Sequence, residues 1–218
     1  MRLGIERREI VRYGNRMVAS GLTSGTGGNL SVRNIEEDMV AVSPSGIPYD
    51  LVTPEQVAVV NFQGERVEGE EKPSSEFRFH LSIYEKRRDV RAVVHTHSPY
   101  ATTMACLHWE IPAVHYMVGV AGKRVPVAPY ATFGTEELAE NLVDTLASYN
   151  AVLLANHGLV AVGPELPTAF AVAEEIEFVA RIYHQTRCVG LPPIIPETEM
   201  ERVLEKFKSY GPNRKKTT

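Results

Sequence analysis

The 218-residue chain is poor in the features that mark several classes of protein. Its two cysteines, Cys106 and Cys188, stand far apart and have no CxxC partner, which argues against a disulfide scaffold and favours a reducing compartment. No apolar run approaches the roughly 20 residues needed to span a bilayer, and the N-terminus lacks the apolar segment of a signal peptide. We therefore expect a cytoplasmic protein that does not bind membranes.

The sequence also lacks a basic excess. Lys and Arg total 23 against 27 Asp and Glu, a formal net charge of −4. Nucleic-acid binders usually carry a basic field, so we expect no nucleic-acid partner. A hydrophobic fraction of 44% is enough to build a core, which excludes disorder as the default state. Because no repeat or linker divides the chain, we expect one domain over residues 1–210 and a basic, frayed tail over 211–218.

Helix-like and strand-like patterns interleave along the whole chain. Helices are predicted over residues 5–21, 75–87, 99–107, 135–148, 167–188 and 197–208. Strands are predicted over residues 29–33, 38–43, 57–62, 91–97, 151–156 and 158–163, with short strands and turns in 111–130. This order predicts a single α/β or α+β domain. Both cysteines fall in predicted helices, where we expect them to be buried.

The strongest chemical signal is the pair His95 and His97 at the end of an apolar strand. Side chains two apart on a strand point to the same face, so both imidazoles can reach one metal ion. Taken alone, an H-x-H pair also fits two histidines that flank a turn. A third histidine, His157, follows an apolar strand and precedes a glycine. Three imidazoles with an open fourth position describe a catalytic zinc site, although spacing alone does not show that the three meet.

A carboxylate adds to this pattern. Glu76 opens a predicted helix directly after Ser74 and Ser75. In a structural role, the glutamate interacts with the helix dipole and the serines cap the helix. In a functional role, the glutamate is a metal ligand or general base, and the serines with free backbone N–H groups bind an anion.

Two glycine-containing turns are weaker signals. Residues 26–29 read TGGN and residues 43–46 read SPSG. Glycines allow positive φ, so that backbone N–H groups can converge on an anion. The first turn is neither a Walker A loop nor GxGxxG, and each turn alone fits a simple tight loop equally well.

Together these segments resemble the class II aldolase/adducin superfamily. The resemblance rests on GTGGNLSVR, SPSGIPYD, KPSSEFRFH, AVVHTHS and NHGL, which occur in the family's order. The narrower motifs IPAVHYM, APYATFGTEELA and EKFKSYG resemble its L-fuculose-1-phosphate aldolase branch. The resemblance implies a central, largely antiparallel sheet covered by helices on both faces. It also implies a homotetramer with active sites between subunits.

The resemblance further implies roles for individual residues. One Zn²⁺ per subunit would be held by His95, His97 and His157, with Glu76 as fourth ligand at rest and base in turnover. Residues matching the family's phosphate loops are Thr26, Gly28, Asn29, Ser45, Gly46, Ser74 and Ser75.

Three aromatic residues match the family's aldehyde end. Tyr116 matches a proton donor that reaches a neighbouring subunit's active site, although its own pattern also fits a core-edge residue. Phe133 and Tyr210 match aromatic residues near the aldehyde.

His80 lies one turn after Glu76 on the same helix face, which fits a partner behind the metal ligands, but we expect a surface or packing residue. The stretch 119–126 is more basic than the family pattern.

The implied activity is reversible, zinc-dependent cleavage of L-fuculose 1-phosphate to dihydroxyacetone phosphate and L-lactaldehyde. Alternatives are an aldolase for related 5-deoxypentulose 1-phosphates, a ribulose-phosphate 4-epimerase and a methylthioribulose-phosphate dehydratase. A non-enzymatic adducin-like scaffold should lack the metal ligands, and all of them are present here.

Overall fold

The computed structural model describes residues 1–209. The predicted tail and the match at Tyr210 lie outside the described residues. Six helices are present in the described part: α1 Gly4–Ala19, α2 Phe77–Lys86, α3 Pro99–Cys106, α4 Glu136–Leu146, α5 Leu166–Val189 and α6 Glu197–Ser209. The strands there are β1 Asn29–Asn34, β2 Met39–Val42, β3 Ala58–Val60, β4 Arg66–Glu68, β5 Ala92–Thr96, β6 Val127–Ala128, β7 Ala151–Leu154 and β8 Gly158–Gly163. Two 3₁₀ turns span Tyr49–Leu51 and Tyr116–Val120.

The eight strands form one sheet in the order β4-β3-β2-β1-β5-β8-β7-β6. Every neighbouring pair is antiparallel except β6 with β7. This confirms the expected fold of one largely antiparallel sheet. The central strands β1, β5 and β8 are the ones that carry the site.

Each face of the sheet has its own apolar core. One core includes Met17 of α1, Met104 of α3 and Phe170 of α5, and the other includes Ile83 of α2 and Leu142 of α4. Successive residues of a strand point to opposite faces. Val93 and Val94 of β5 accordingly belong to the two different cores. The helices therefore cover both faces, as expected.

Some local expectations were wrong. Cys106 and Cys188 lie in helices as predicted, but both are exposed. Each stands at or next to the C-terminal end of its helix, where membership of a helix does not imply burial. The sequence indicated only a turn where the structure has the edge strand β4. The strand was missed because its three residues, with a charged residue at each end, are too few to show an alternating pattern. Among the described residues, no helix is both long and apolar enough to cross a membrane.

Candidate metal centre and active site

The antiparallel pairing of β5 with β8 brings distant histidines together. Thr96 of β5 stands opposite Leu159 of β8, so the end of β5 meets the start of β8 at one edge of the sheet. His97 directly follows β5, and His157 directly precedes β8. The register thus explains how histidines far apart in sequence meet.

The Asn-His-Gly turn is shaped by its neighbours. Asn156 has φ 55°, a left-handed conformation that Asn tolerates better than most residues. Its backbone N–H donates to the Ala105 carbonyl at 3.1 Å, which fixes the turn against the end of α3. A Cβ at Gly158 would overlap the Thr96 carbonyl oxygen, so only glycine allows β8 to approach β5 this closely.

The four predicted ligands converge: one nitrogen or oxygen from each of Glu76, His95, His97 and His157 lies within 4.8 Å of the others. The Nε2 atoms of His95 and His97 are 3.0 Å apart. The two Glu76 carboxylate oxygens approach different histidines. Oε2 lies 3.4 Å from His95 Nε2, and Oε1 lies 3.3 Å from His157 Nε2.

The protonation of the cluster suits metal binding. His95 Nδ1 lies 3.0 Å from the Leu159 carbonyl oxygen. Because a carbonyl can only accept, Nδ1 carries the ring proton, and Nε2 presents a lone pair to the cluster. Burial lowers the pKa of His95, His97 and His157, which keeps the imidazoles neutral as ligation requires. Burial raises the pKa of the Glu76 carboxyl, while His157 and an Asn29 hydrogen bond oppose that rise.

The spacing also fits one small cation. Zinc–ligand bonds of ~2.0–2.1 Å in a tetrahedron place neighbouring ligand atoms ~3.3 Å apart. The distances of 3.0, 3.4 and 3.3 Å bracket that value. Glu76 Oε1 is buried yet has no hydrogen-bond partner within the described chain, as expected of an atom reserved for a ligand. The residues present therefore fit a metal ion.

Glu76 is held in place from the sheet. It is the N-cap residue of α2, and Asn29 Nδ2 donates to its Oε2 at 2.9 Å. The other amide atom, Asn29 Oδ1, lies 2.5 Å from His80 Nε2. The structure thus places the Asn29 side chain against the carboxylate. His80 is fully buried, so it is not a surface residue. Its contact with Asn29 supports the alternative of a partner behind the metal ligands.

Two of the predicted anion-binding turns lie side by side. Residues 43–46 pair with residues 72–74: Ser74 N–H donates to the Ser43 carbonyl at 2.9 Å, and Ser45 N–H donates to the Lys72 carbonyl at 3.0 Å. Ser74 is buried, whereas Ser45, Gly46 and Ser75 are exposed. The exposed groups are open to a ligand beside Glu76.

The glycine turn at residues 26–29 packs against β5, the strand that carries His95. Gly28 has φ 68°, and a Cβ there would lie 2.5 Å from the His95 carbonyl oxygen. Tyr49 is buried, and its hydroxyl donates to the Gly28 carbonyl at 2.9 Å. Sequence reasoning missed this role of Tyr49, whose only signal was a tyrosine just after the SPSG turn. Thr26, two residues before Gly28, is exposed.

The two described aromatic candidates are exposed. Phe133 is 65% exposed and precedes Gly134, where a Cβ would lie 3.3 Å from the Ser75 carbonyl oxygen. This places the Phe133 loop next to the serine pair. Tyr116 is 49% exposed, and its ring packs on His115 and Phe207, outside the metal cluster. The structure therefore does not bring Tyr116 to the ligands of its own chain.

The basic stretch 119–126 is neutralised within the chain. Lys123 Nζ lies 2.6 Å from a Glu197 carboxylate oxygen and 2.8 Å from one of Glu201. Arg124 pairs with Glu110 at 3.0 Å. The extra positive charges thus connect this stretch to α6 and to Glu110.

Known proteins share this architecture. The sequence model of the family described as Class II Aldolase and Adducin N-terminal domain matches residues 8–184. The 5-deoxy-D-ribulose 1-phosphate aldolase of Bacillus thuringiensis serovar kurstaki is 54% identical over 97% of this chain and 99% of its own length. The L-fuculose phosphate aldolase of Escherichia coli K12 is 42% identical over 94% of each chain.

Solved structures agree with the sequence comparisons. A structure of an L-fuculose 1-phosphate aldolase superposes with a TM-score of 0.91 at 46% identity, covering 93% of this chain and 96% of the other. Similarity of this extent includes every strand that carries the metal cluster. The chain therefore belongs to the class II aldolase and adducin family, and it is a carbon–carbon lyase of the aldolase type.

Proposed function

We propose that this aldolase is zinc-dependent and cleaves a deoxyketose 1-phosphate between C3 and C4. The products are dihydroxyacetone phosphate and a short aldehyde with a terminal methyl group. The main observation behind this proposal is the convergence of Glu76, His95, His97 and His157 beside polar turns able to bind a phosphate.

5-Deoxy-D-ribulose 1-phosphate is the first candidate substrate. The relative named as an aldolase for it is 54% identical to this chain, and the match covers 99% of that relative. Its cleavage between C3 and C4 releases acetaldehyde. L-Fuculose 1-phosphate is the second candidate, supported by relatives at 42% and 46% identity, and its cleavage releases L-lactaldehyde. Both substrates share the dihydroxyacetone phosphate half, so one cluster and one phosphate site serve either.

His95, His97 and His157 would hold the zinc ion, which would supply Lewis acidity toward the ketone of the substrate. Zinc suits a set of three imidazoles and one carboxylate. The chain itself moves the protons. As C3–C4 breaks, the electron pair stays on C3, and Glu76 delivers a proton there. In the synthetic direction Glu76 removes that proton, as a buried carboxylate with a raised pKa is suited to do.

The phosphate is bound by neutral groups rather than by arginines. The groups are hydroxyls and free backbone N–H groups of Thr26, Gly28, Asn29, Ser45, Gly46, Ser74 and Ser75. Ser45 and Ser74 contribute their hydroxyls, because their N–H groups already donate to the Lys72 and Ser43 carbonyls. Such groups at turns with positive φ form anion-binding concavities. Gly28 and Gly46 have φ 68° and 72°, in line with this role.

The second proton is that of the C4 hydroxyl, which leaves as the aldehyde forms and returns to the aldehyde oxygen in synthesis. We assign its acceptance in cleavage and its donation in synthesis to Tyr116 of a neighbouring subunit. The exposed position of Tyr116, away from the cluster of its own chain, supports a role across an interface. This assignment requires a homo-oligomer, for which we propose a homotetramer. Phe133, exposed beside Ser75, would contact the aldehyde end.

The test is release of dihydroxyacetone phosphate from each of the two substrates, measured with a coupled reductase. We expect cleavage by the zinc-loaded protein, loss of cleavage after chelation, and recovery when zinc is restored. A higher kcat/KM for 5-deoxy-D-ribulose 1-phosphate supports the first candidate, and the reverse order supports the second. No release from either substrate by zinc-replete, folded protein would overturn the proposal.

A further inference from the structure

A buried ladder of polar side chains connects α2 to β1 behind Glu76. On α2, Glu76, His80 and Tyr84 are spaced by four residues and share one side of the helix. On β1, Asn29 and Ser31 are two apart and share one face of the sheet. The two sets face each other, and His80, Tyr84 and Ser31 are completely buried.

The contacts of the ladder are continuous. Tyr84 Oη lies 2.6 Å from Ser31 Oγ, and Ser31 Oγ lies 2.7 Å from His80 Nδ1. His80 Nε2 lies 2.5 Å from Asn29 Oδ1, and Asn29 Nδ2 lies 2.9 Å from Glu76 Oε2. Each side chain touches the next, so the orientation of one constrains its neighbour.

One arrangement of protons satisfies every contact. An ionised carboxylate only accepts, so Asn29 must turn its NH₂ group to Glu76 and its Oδ1 to His80. His80 must then carry its proton on Nε2 and accept at Nδ1 from the Ser31 hydroxyl. Ser31 in turn accepts from the Tyr84 hydroxyl. Burial lowers the pKa of His80 to about 3, so the ring is neutral and carries a proton on only one of its two nitrogens.

We propose that His80 is a positioning residue for the catalytic base. By donating from Nε2 to Asn29 Oδ1, it prevents the Asn29 amide from turning over and keeps its NH₂ group on Glu76 Oε2. That leaves Oε1, which has no hydrogen-bond partner among the described residues, for the metal and for proton transfer. The inference rests on the proposed role of Glu76 as the base.

Loss of the His80 donor has a specific consequence. An Asn29 amide that turned over would place Oδ1 against Glu76 Oε2, where two acceptors repel. The carboxylate would then move or bind a proton. Removing a partner that orients a metal-site ligand typically costs 10–100-fold in metal affinity or activity. We expect a loss of that size in kcat. KM should change little, because the Asn29 side chain is already bonded to Glu76 and His80 and is not left to contact the phosphate.

Two variants at the same position provide the test. His80→Phe keeps a ring that can stack on Phe79, whose centroid lies 4.5 Å from that of His80, but removes the donor. His80→Gln keeps an N–H donor near the position of Nε2. We expect His80→Phe to lose about 10–100-fold in kcat, and His80→Gln to recover most of it. Metal content and melting temperature are measured for both.

A readout independent of activity is the tautomer of His80. Nitrogen-15 NMR of the full-length, zinc-loaded protein should show Nε2 protonated and Nδ1 bare. Ser31→Ala removes the donor to Nδ1 and should weaken that preference while leaving the donor to Asn29 in place, with a smaller loss of kcat than His80→Phe. The NMR measurement and Ser31→Ala decide the matter if His80→Phe does not fold.

The outcomes separate this inference from the proposed function. A wild-type protein that cleaves neither substrate refutes the proposed function, whatever the tautomer. If the wild type cleaves, three results refute the positioning role: unchanged kcat in folded His80→Phe, equal losses in both His80 variants, or a proton on Nδ1.

Discussion

The candidate metal centre and the region proposed for the aldehyde end are built differently. On the metal side, Glu76 and His95 are buried, and each is held by a hydrogen bond from within the chain. On the aldehyde side, Tyr116 and Phe133 are exposed and lie on a 3₁₀ turn and a loop. Under the proposed roles, one chain supplies all the metal ligands. The residues proposed for the aldehyde end are left exposed for a substrate or a second subunit to cover.

The largest effect should come from removing a metal ligand. We expect His157→Ala to lower zinc affinity more than the ~10–100-fold typical of partners behind the ligands, and to abolish cleavage, because only Glu76 and two histidines remain. Zinc content after chelator competition provides the measurement. His184→Ala, at a histidine packed on Tyr100 outside the cluster, is the matched control and should keep its zinc. Full occupancy in His157→Ala would remove His157 from the ligand set.

Glu76→Gln tests the metal side without removing a histidine. We expect it to retain zinc on the three imidazoles and to lose ~10²–10⁴-fold in kcat, the usual contribution of a positioned general base. Glu174→Gln is the control, because Glu174 pairs with Arg16 at 2.8 Å away from the site. If Glu76→Gln turns over substrate as fast as the control, the proposed role of Glu76 in proton transfer is refuted.

Tyr116→Phe tests whether the exposed side completes the site from another subunit. We expect a loss of ~10²-fold in kcat, at the lower end for proton transfer, with zinc content and oligomeric state unchanged. Mixing Tyr116→Phe with Glu76→Gln subunits should restore part of the activity, because hybrid sites combine an intact glutamate with an intact tyrosine. If neither effect is seen, Tyr116 serves only packing.

The smallest effect should come from removing the Tyr49 hydroxyl, which supports the glycine turn at residues 26–29. Tyr49→Phe removes the hydrogen bond to the Gly28 carbonyl, worth ~1 kcal/mol, or about fivefold in binding. We expect that change in KM, with kcat unaltered, in steady-state assays. Tyr13→Phe, at a buried tyrosine that packs on Phe170, is the control. A fall in kcat instead would mean that the loop also positions the reacting carbon.

Local patterns predicted much of the fold. The α4 helix follows directly from Thr135, which caps it by accepting from Leu138 N–H at 3.2 Å, and from the buried Leu142 and Leu146. The order of the strands could not be predicted from these patterns, because it depends on pairing between distant segments. The short strand β4 was missed for lack of alternation.

The candidate site was predictable to the same limit. The residue types and spacings of the three histidines and Glu76 indicated a metal site. The family resemblance then implied that all four bind the same ion. The spacing of Glu76 and His80 allowed a role for His80 behind the metal ligands, but the contacts of His80 with Asn29 and of Tyr49 with Gly28 were not visible. Each contact depends on which residue stands across from it in the folded protein. A histidine four residues after a glutamate gives no sign of the asparagine between them in space.

The pairing of β5 with β8 has a consequence for the order of events in the cell. His157 joins the other ligands only when β8, which ends at Gly163, has aligned with β5. A growing chain therefore cannot offer the complete set of ligands until about three quarters of it has been synthesised. Metal affinity then becomes part of the free energy of folding. An ion held by the proposed ligands would therefore bind tightly only to chains in which the central strands have already paired.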